Sequence, residues 1–188
     1  LLYEATKYVD LRDCYEFELP QKEKLSPDQR KQAKQYNRIA AVLTPMVKAF
    51  CTEMANRIAY DGIQVHGGTG YMRDFPAERF YRDARITNIY EGTTQLQYVA
   101  AAGGIMLRTL DPLMENLLGL PYQGKLRRLA QSVHEAHAQL QQAVTFVSER
   151  NDTEYYDLMA GRLGQMETFV FTALLMLRDA RKDPEREL

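Results

Sequence analysis

Paired cysteines, an excess of either charge and long apolar runs are all missing from this chain, and each absence removes a class of function. Cys14 and Cys51 are its only cysteines. They lie far apart and form no CxxC pair, so neither a disulfide framework nor a zinc site is expected, and the reducing cytoplasm fits best. Lys and Arg number 24 against 25 Asp and Glu, leaving a formal charge of −1. That is too little for a global field to draw the chain to nucleic acid or an anionic membrane. No apolar stretch approaches the roughly 18 residues that span a bilayer, and no basic-then-apolar signal opens the chain, so no membrane insertion is expected. The period-two alternation of a half-buried strand is absent too. So is an initiator Met: the chain begins Leu1-Leu2-Tyr3-Glu4-Ala5, already in helical pattern, and is expected to be part of something longer.

What remains is helical. A chain of 188 residues, 45% hydrophobic and 26% charged, can bury one good core, or a core and a smaller appendage. Residues 1–17 read as the end of a helix, closed by Glu18-Leu19-Pro20 and a charged loop to Leu25. Ser26-Pro27-Asp28-Gln29 has the form of a new start, with Ser26 as N-cap, Pro27 at the first helical position and Gln29 completing a capping box. That helix should reach about Leu43, with Thr44-Pro45 restarting or kinking it, because proline lacks the backbone donor.

From Val47 onward Phe50, Cys51, Met54, Ala55, Ile58, Ala59 and Ile63 recur at three- and four-residue steps, the stripe of a buried central helix. Gly67-Gly68-Thr69-Gly70 ends it, since glycine permits positive φ. A short helix over 76–82 and another from 92–94 to about 110 follow, the latter weakened by Gly103-Gly104. Residues 111–124 look like a linker. Two further stripes, Leu126 to Val147 and Tyr156 to Leu177, flank the short connection Asn151-Asp152-Thr153 and predict an antiparallel hairpin. The expected fold class is all-α: an antiparallel helical bundle over 1–110 and a C-terminal helical hairpin over 111–188.

The chemistry concentrates in Ile89-Tyr90-Glu91-Gly92-Thr93-Thr94-Gln95-Leu96-Gln97. Glu91 stands between an apolar, aromatic run and a small-polar turn, a setting that would desolvate a carboxylate and make it a useful proton acceptor. A solvated carboxylate at a helix N-terminus is the plainer alternative. Other candidates read as structure. His134 and His137 lack metal-binding spacing, so no metal is expected; Arg82-Asp83-Ala84-Arg85 reads as an ion-pair cluster, and Lys125-Leu126-Arg127-Arg128 as a solvated helix face.

Three blocks in order carry a resemblance: Ala59-Tyr60-Asp61-Gly62-Ile63-Gln64-Val65-His66-Gly67-Gly68-Thr69-Gly70-Tyr71, then Glu78-Arg79 with Tyr81-Arg82-Asp83-Ala84-Arg85-Ile86, then Ile89 through Gln97. Together they resemble the C-terminal helical domain of the acyl-CoA dehydrogenases, and residues 111–188 resemble the extra helical tail of a larger subset of that family. The resemblance implies an FAD enzyme that takes a proton from Cα and a hydride from Cβ of an acyl-CoA, leaving a trans-2-enoyl-CoA. It makes Glu91 the catalytic base. It places Gln64, Gly67 and Gly68 against the FAD pyrophosphate or adenosine, often from a neighbouring subunit, with Thr93 and Gln95 on the adenine side of the flavin. Tyr90 would wall the acyl-CoA pocket, and Gly92 would keep the approach to substrate and flavin open. An electron-transfer flavoprotein and a homo-oligomer are the implied partners. The family's other two domains have no counterpart here, so the chain alone is expected to be inactive. An acyl-CoA oxidase-like flavoenzyme and a non-catalytic helical oligomerisation module are the alternatives.

Overall fold

A computed structural model describes residues 1–19 and 24–182, and every regular element among them is a helix. Helix α1 (Leu2–Asp13) passes into a π-helical turn at Cys14–Glu18. Pro20 and the first part of the loop expected after it fall outside the described residues. Then come α2 (Pro27–His66), a single turn α3 (Gly68–Tyr71), α4 (Ala77–Thr87), α5 (Thr94–Met106), α6 (Asp111–Leu118), α7 (Gly124–Glu149) and α8 (Thr153–Lys182).

The start of α2 follows from local chemistry. The Gln29 N–H donates to Ser26 Oγ at 3.2 Å while the Ser26 N–H donates to Gln29 Oε1 at 2.7 Å, and Pro27 occupies a position whose N–H would have no helical partner. The end expected near Leu43 does not occur, and α2 continues through Pro45 for 40 residues in all. Burial explains it: Leu43, Met46 and Ala49 around the proline are all 0% exposed, and their packing offsets one missing backbone hydrogen bond. Gly67 ends the helix as expected, in the left-handed region at φ 61°, its N–H donating to the Gln64 carbonyl at 3.2 Å.

Three other boundaries move. Helix α4 extends to Thr87, and α5 stops at Met106 instead of near Leu110. The supposed linker after Leu110 holds α6, whose Met114 is wholly buried. Gly104 serves close packing, for a Cβ there would lie 2.0 Å from Val42 Cγ2, so its hydrogen lets α5 settle on α2.

One core joins Ile39, Leu43 and Met46 of α2 to Ile105 of α5, Met114 of α6, Leu140 of α7 and Phe171 and Leu174 of α8. It therefore takes side chains from both sides of residue 110. Helices α7 and α8 pack as the expected hairpin, and α8 sits deepest, with Leu163, Val170, Phe171, Leu174, Leu175 and Leu177 all buried. The predicted central stripe is corrected accordingly. Phe50 and Met54 are half-buried, Phe50 resting edge-on against Phe169 at 5.8 Å, and Ile58 is 69% exposed. Past residue 50, α2 runs beyond the bundle, and α3 and α4 cover only part of it.

Candidate functional site

The loop between α4 and α5 is held by side-chain hydrogen bonds from two helices. Glu91 and Gly92 are consecutive left-handed residues, at φ 53° and 92°. For glycine this is free; for glutamate it costs roughly 1–2 kcal/mol because Cβ crowds the following carbonyl. Arg108 and Asn151 share positive φ, at 53° and 49°, but each directly follows the C-cap of a helix, a common place for it. Glu91 lies three residues beyond the Asn88 cap of α4, after a turn in which the Tyr90 N–H still donates to the Ile86 carbonyl at 3.1 Å.

Side chains from α2 and α5 hold that conformation. Lys48 Nζ donates to the Tyr90 carbonyl at 2.9 Å and to the Gly92 carbonyl at 2.6 Å, and sits 5.5 Å from the Tyr90 ring centroid. The Gln97 side-chain amide donates to the Glu91 carbonyl at 2.8 Å. At the ends of the loop, Glu53 Oε1 accepts from Asn88 Nδ2 at 3.0 Å and from Thr94 Oγ1 at 2.5 Å. Three successive carbonyls, at residues 90, 91 and 92, thus each accept from a side chain. Gly92 is tied into the same arrangement, since a Cβ there would meet Gln97 Nε2 at 2.9 Å.

The carboxylate itself is exposed, which corrects the desolvated setting expected for it. Ile89 and Tyr90, the apolar neighbours in sequence, are themselves 43% and 50% exposed and make no enclosure. Adjacency along the chain did not translate into burial, because among the described residues no element lies over that side of the loop.

Of the expected cofactor residues, Thr93 is the N-cap of α5, with an exposed side chain that makes no capping bond. Gln95, two residues on, donates its amide to the Asp157 carbonyl of α8 at 3.3 Å. Gln64, Gly67 and Gly68 lie elsewhere, exposed at the far end of α2. Nothing stands within 4 Å of a Cβ built on Gly67 or Gly68, so their backbone is open to a ligand. From Lys48, where the loop is pinned, to Gln64 the helix advances about 24 Å. Tyr90, Glu91, Gly92, Thr93 and Gln95 therefore form one group, and Gln64, Gly67 and Gly68 another. Beside the second, Ile58, Gly62, His66, Phe80 and Ala84 line an apolar groove of about 440 Å³ between α2 and α4.

Sequence reasoning missed Lys48, Glu53 and Gln97. The trace it could have used is the pair of opposite charges, Lys48 and Glu53, on the helix that carries the apolar stripe. The expected ion pairs of α4 form across turns instead of between neighbours: Arg79 with Asp83 and Arg82 with Glu78, both at 3.6 Å. Among the described residues no cluster of three His, Cys, Asp or Glu could hold a metal ion, and no helix is long and apolar enough to cross a membrane.

Residues 29–106 match the family model described as acyl-CoA dehydrogenase, C-terminal domain, and residues 108–187 match a second, described as acyl-CoA dehydrogenase C terminal. The chain is 49% identical over 70 residues to 3-methylmercaptopropionyl-CoA dehydrogenase of Ruegeria pomeroyi, a stretch covering 37% of this chain and 12% of that protein. It is also 49% identical over 61 residues to the mitochondrial short-chain specific acyl-CoA dehydrogenase of Rattus norvegicus, covering 32% of this chain and 15% of the relative. The matched stretch is thus about a seventh or less of the length of these curated relatives.

Proposed function

This chain belongs to the acyl-CoA dehydrogenase family, and from that premise we propose that it is the helical C-terminal part of an FAD-dependent enzyme oxidising an acyl-CoA to its trans-2-enoyl-CoA. The α-proton of a thioester is weakly acidic, so a base has to be held against it. Glu91 is that base. The observation carrying this assignment is its left-handed backbone, kept in place by Lys48 and Gln97 on the carbonyls around it. Locally strained residues that their surroundings over-determine cluster at working sites, and a merely solvated carboxylate has no use for such restraint.

FAD, when bound, would accept the β-hydride. The open backbone at Gly67 and Gly68, with Gln64 one turn before, suits its phosphate-bearing part. Thr93 and Gln95 would meet its adenine side, Tyr90 would flank the acyl chain, and Gly92 would leave the approach clear. The separation of about 24 Å between the two groups favours a homo-oligomer in which neighbouring copies complete each other's sites. In this reading 1–110 is the bundle and 111–188 the extension, an electron-transfer flavoprotein takes the electrons, and the chain by itself is inactive, because the residues assigned here make only part of a dinucleotide site. The two unpaired cysteines support a reducing compartment, for which we keep the cytoplasm, although the rat relative is by name mitochondrial.

The deciding experiment is Glu91→Gln in the enzyme that contains this chain. Flavin reduction by acyl-CoA should fall by about 10²–10⁴-fold, the usual scale for losing a general base, while FAD content stays unchanged. Reduction at the wild-type rate would place the base elsewhere.

A further inference from the structure

We propose that Lys48 is the positioning residue for Glu91, setting the direction of the carboxylate by gripping the chain on both sides of it. The inference rests on the assignment of Glu91 as base. Lys48 is half-buried and rises from α2 between the fully buried Met46 and Ala49, so its backbone is anchored against the core. Its ammonium bonds the carbonyls of Tyr90 and Gly92, one residue before and one after the base. Two charge-assisted bonds bracketing a single residue leave its φ and ψ little freedom.

Lys48 makes no ion pair with a described carboxylate, so backbone dipoles and the Tyr90 ring balance its charge. Glu53, farther along the same helix, braces the ends of the loop through Asn88 and Thr94. A rigid helix thus presents a cation to the middle of the loop and an anion to its ends. Released from the cation, Glu91 would relax out of the left-handed region, and its side chain would swing away from its present direction.

The test compares Lys48→Met, Lys48→Arg and Glu91→Gln in the enzyme that contains this chain. Lys48→Met should keep FAD content and the KM for acyl-CoA near wild type yet slow flavin reduction about 10–100-fold, the scale on which a misplacement near 1 Å acts. The kinetic isotope effect with α-deuterated substrate should rise, a readout that simple loss of stability would not move, and Lys48→Arg should recover most of the rate. Wild-type reduction by Lys48→Met, alongside a dead Glu91→Gln, overturns the positioning role and leaves the base in place. An active Glu91→Gln overturns the base assignment instead. Should Lys48→Met lose FAD, amide exchange on this 188-residue chain decides: faster exchange confined to residues 88–94 supports the proposal, and an unchanged loop sinks it.

Discussion

Glu167 is the side chain for which the fold is least accommodating. It is 2% exposed within α8, its Oε1 has no partner among the described residues, and burial, assisted by the negative charge of Asp111, pushes its pKa from the ordinary 4.5 up to about 8. Folded, Glu167 keeps its proton up to about pH 8, whereas the unfolded chain releases it near 4.5. Between those values the folded state binds the extra proton, so stability is complete below the lower pH, declines through the window and has lost this contribution above the upper one. The slope from one such group is at most ~1.4 kcal/mol per pH unit. Glu167→Gln should flatten it, and urea denaturation of both chains at pH 5 and pH 8 is the check. An equal pH dependence in the variant would put its origin in another residue. Of the individual residues, the Ser26–Gln29 capping box was legible because both partners sit within one turn. Lys48 was not, because the carbonyls it binds are more than forty positions away.

Helix contacts here depend on where side chains are missing. Gly104 lets α5 approach Val42 of α2, and Gly164 of α8 lies under the Tyr98 ring, where a Cβ would come within 2.3 Å of Cδ1. Alanine normally stabilises a helix by roughly 1 kcal/mol over glycine. Val42 is β-branched and stiff about χ1, so it cannot swing away from a new methyl group. Gly104→Ala should therefore lower stability by about 1–3 kcal/mol, the usual scale of overpacking. Adding Val42→Ala should return part of the loss, which denaturant titration of the two single variants and the double variant would measure. A Gly104→Ala chain as stable as wild type would show that α2 and α5 have room to separate. The glycine pair, read from sequence as weakening the end of the helix, lies in the last turn of α5, which stops at Met106.

Over the whole molecule, apolar exposure is uneven. Ile58, Val65, Tyr71 and Phe80 are 69%, 85%, 77% and 63% exposed, and all belong to the outlying half of α2 or to α3 and α4. Exposed apolar surface on this scale favours association. The isolated chain should therefore be strongly helical by circular dichroism, bind no FAD and sediment as a dimer or larger species whose share rises with concentration. Phe80→Ser should shift that distribution toward monomer without loss of helix. A species that stays monomeric at every concentration would remove this support for a homo-oligomer.

The amino-acid sequence by itself determined what depends on near neighbours: the all-helical class, the cap of α2, the glycine stop at Gly67, the α7–α8 hairpin and the linear blocks that carry the family. Those features rest on hydrogen bonds and side-chain spacings within a turn or two. Tertiary structure decided the rest. It carried α2 through Pro45, put α8 at the centre of the core, left Ile58 and Glu91 exposed, and set Gln64, Gly67 and Gly68 well apart from the loop that Lys48 holds. Periodicity says which face of a helix is apolar. Whether that face is buried depends on which other element covers it, and here α1 and α5 pack against α2, whose buried residues all fall between Ile39 and Ala49, while much of the helix beyond stays bare.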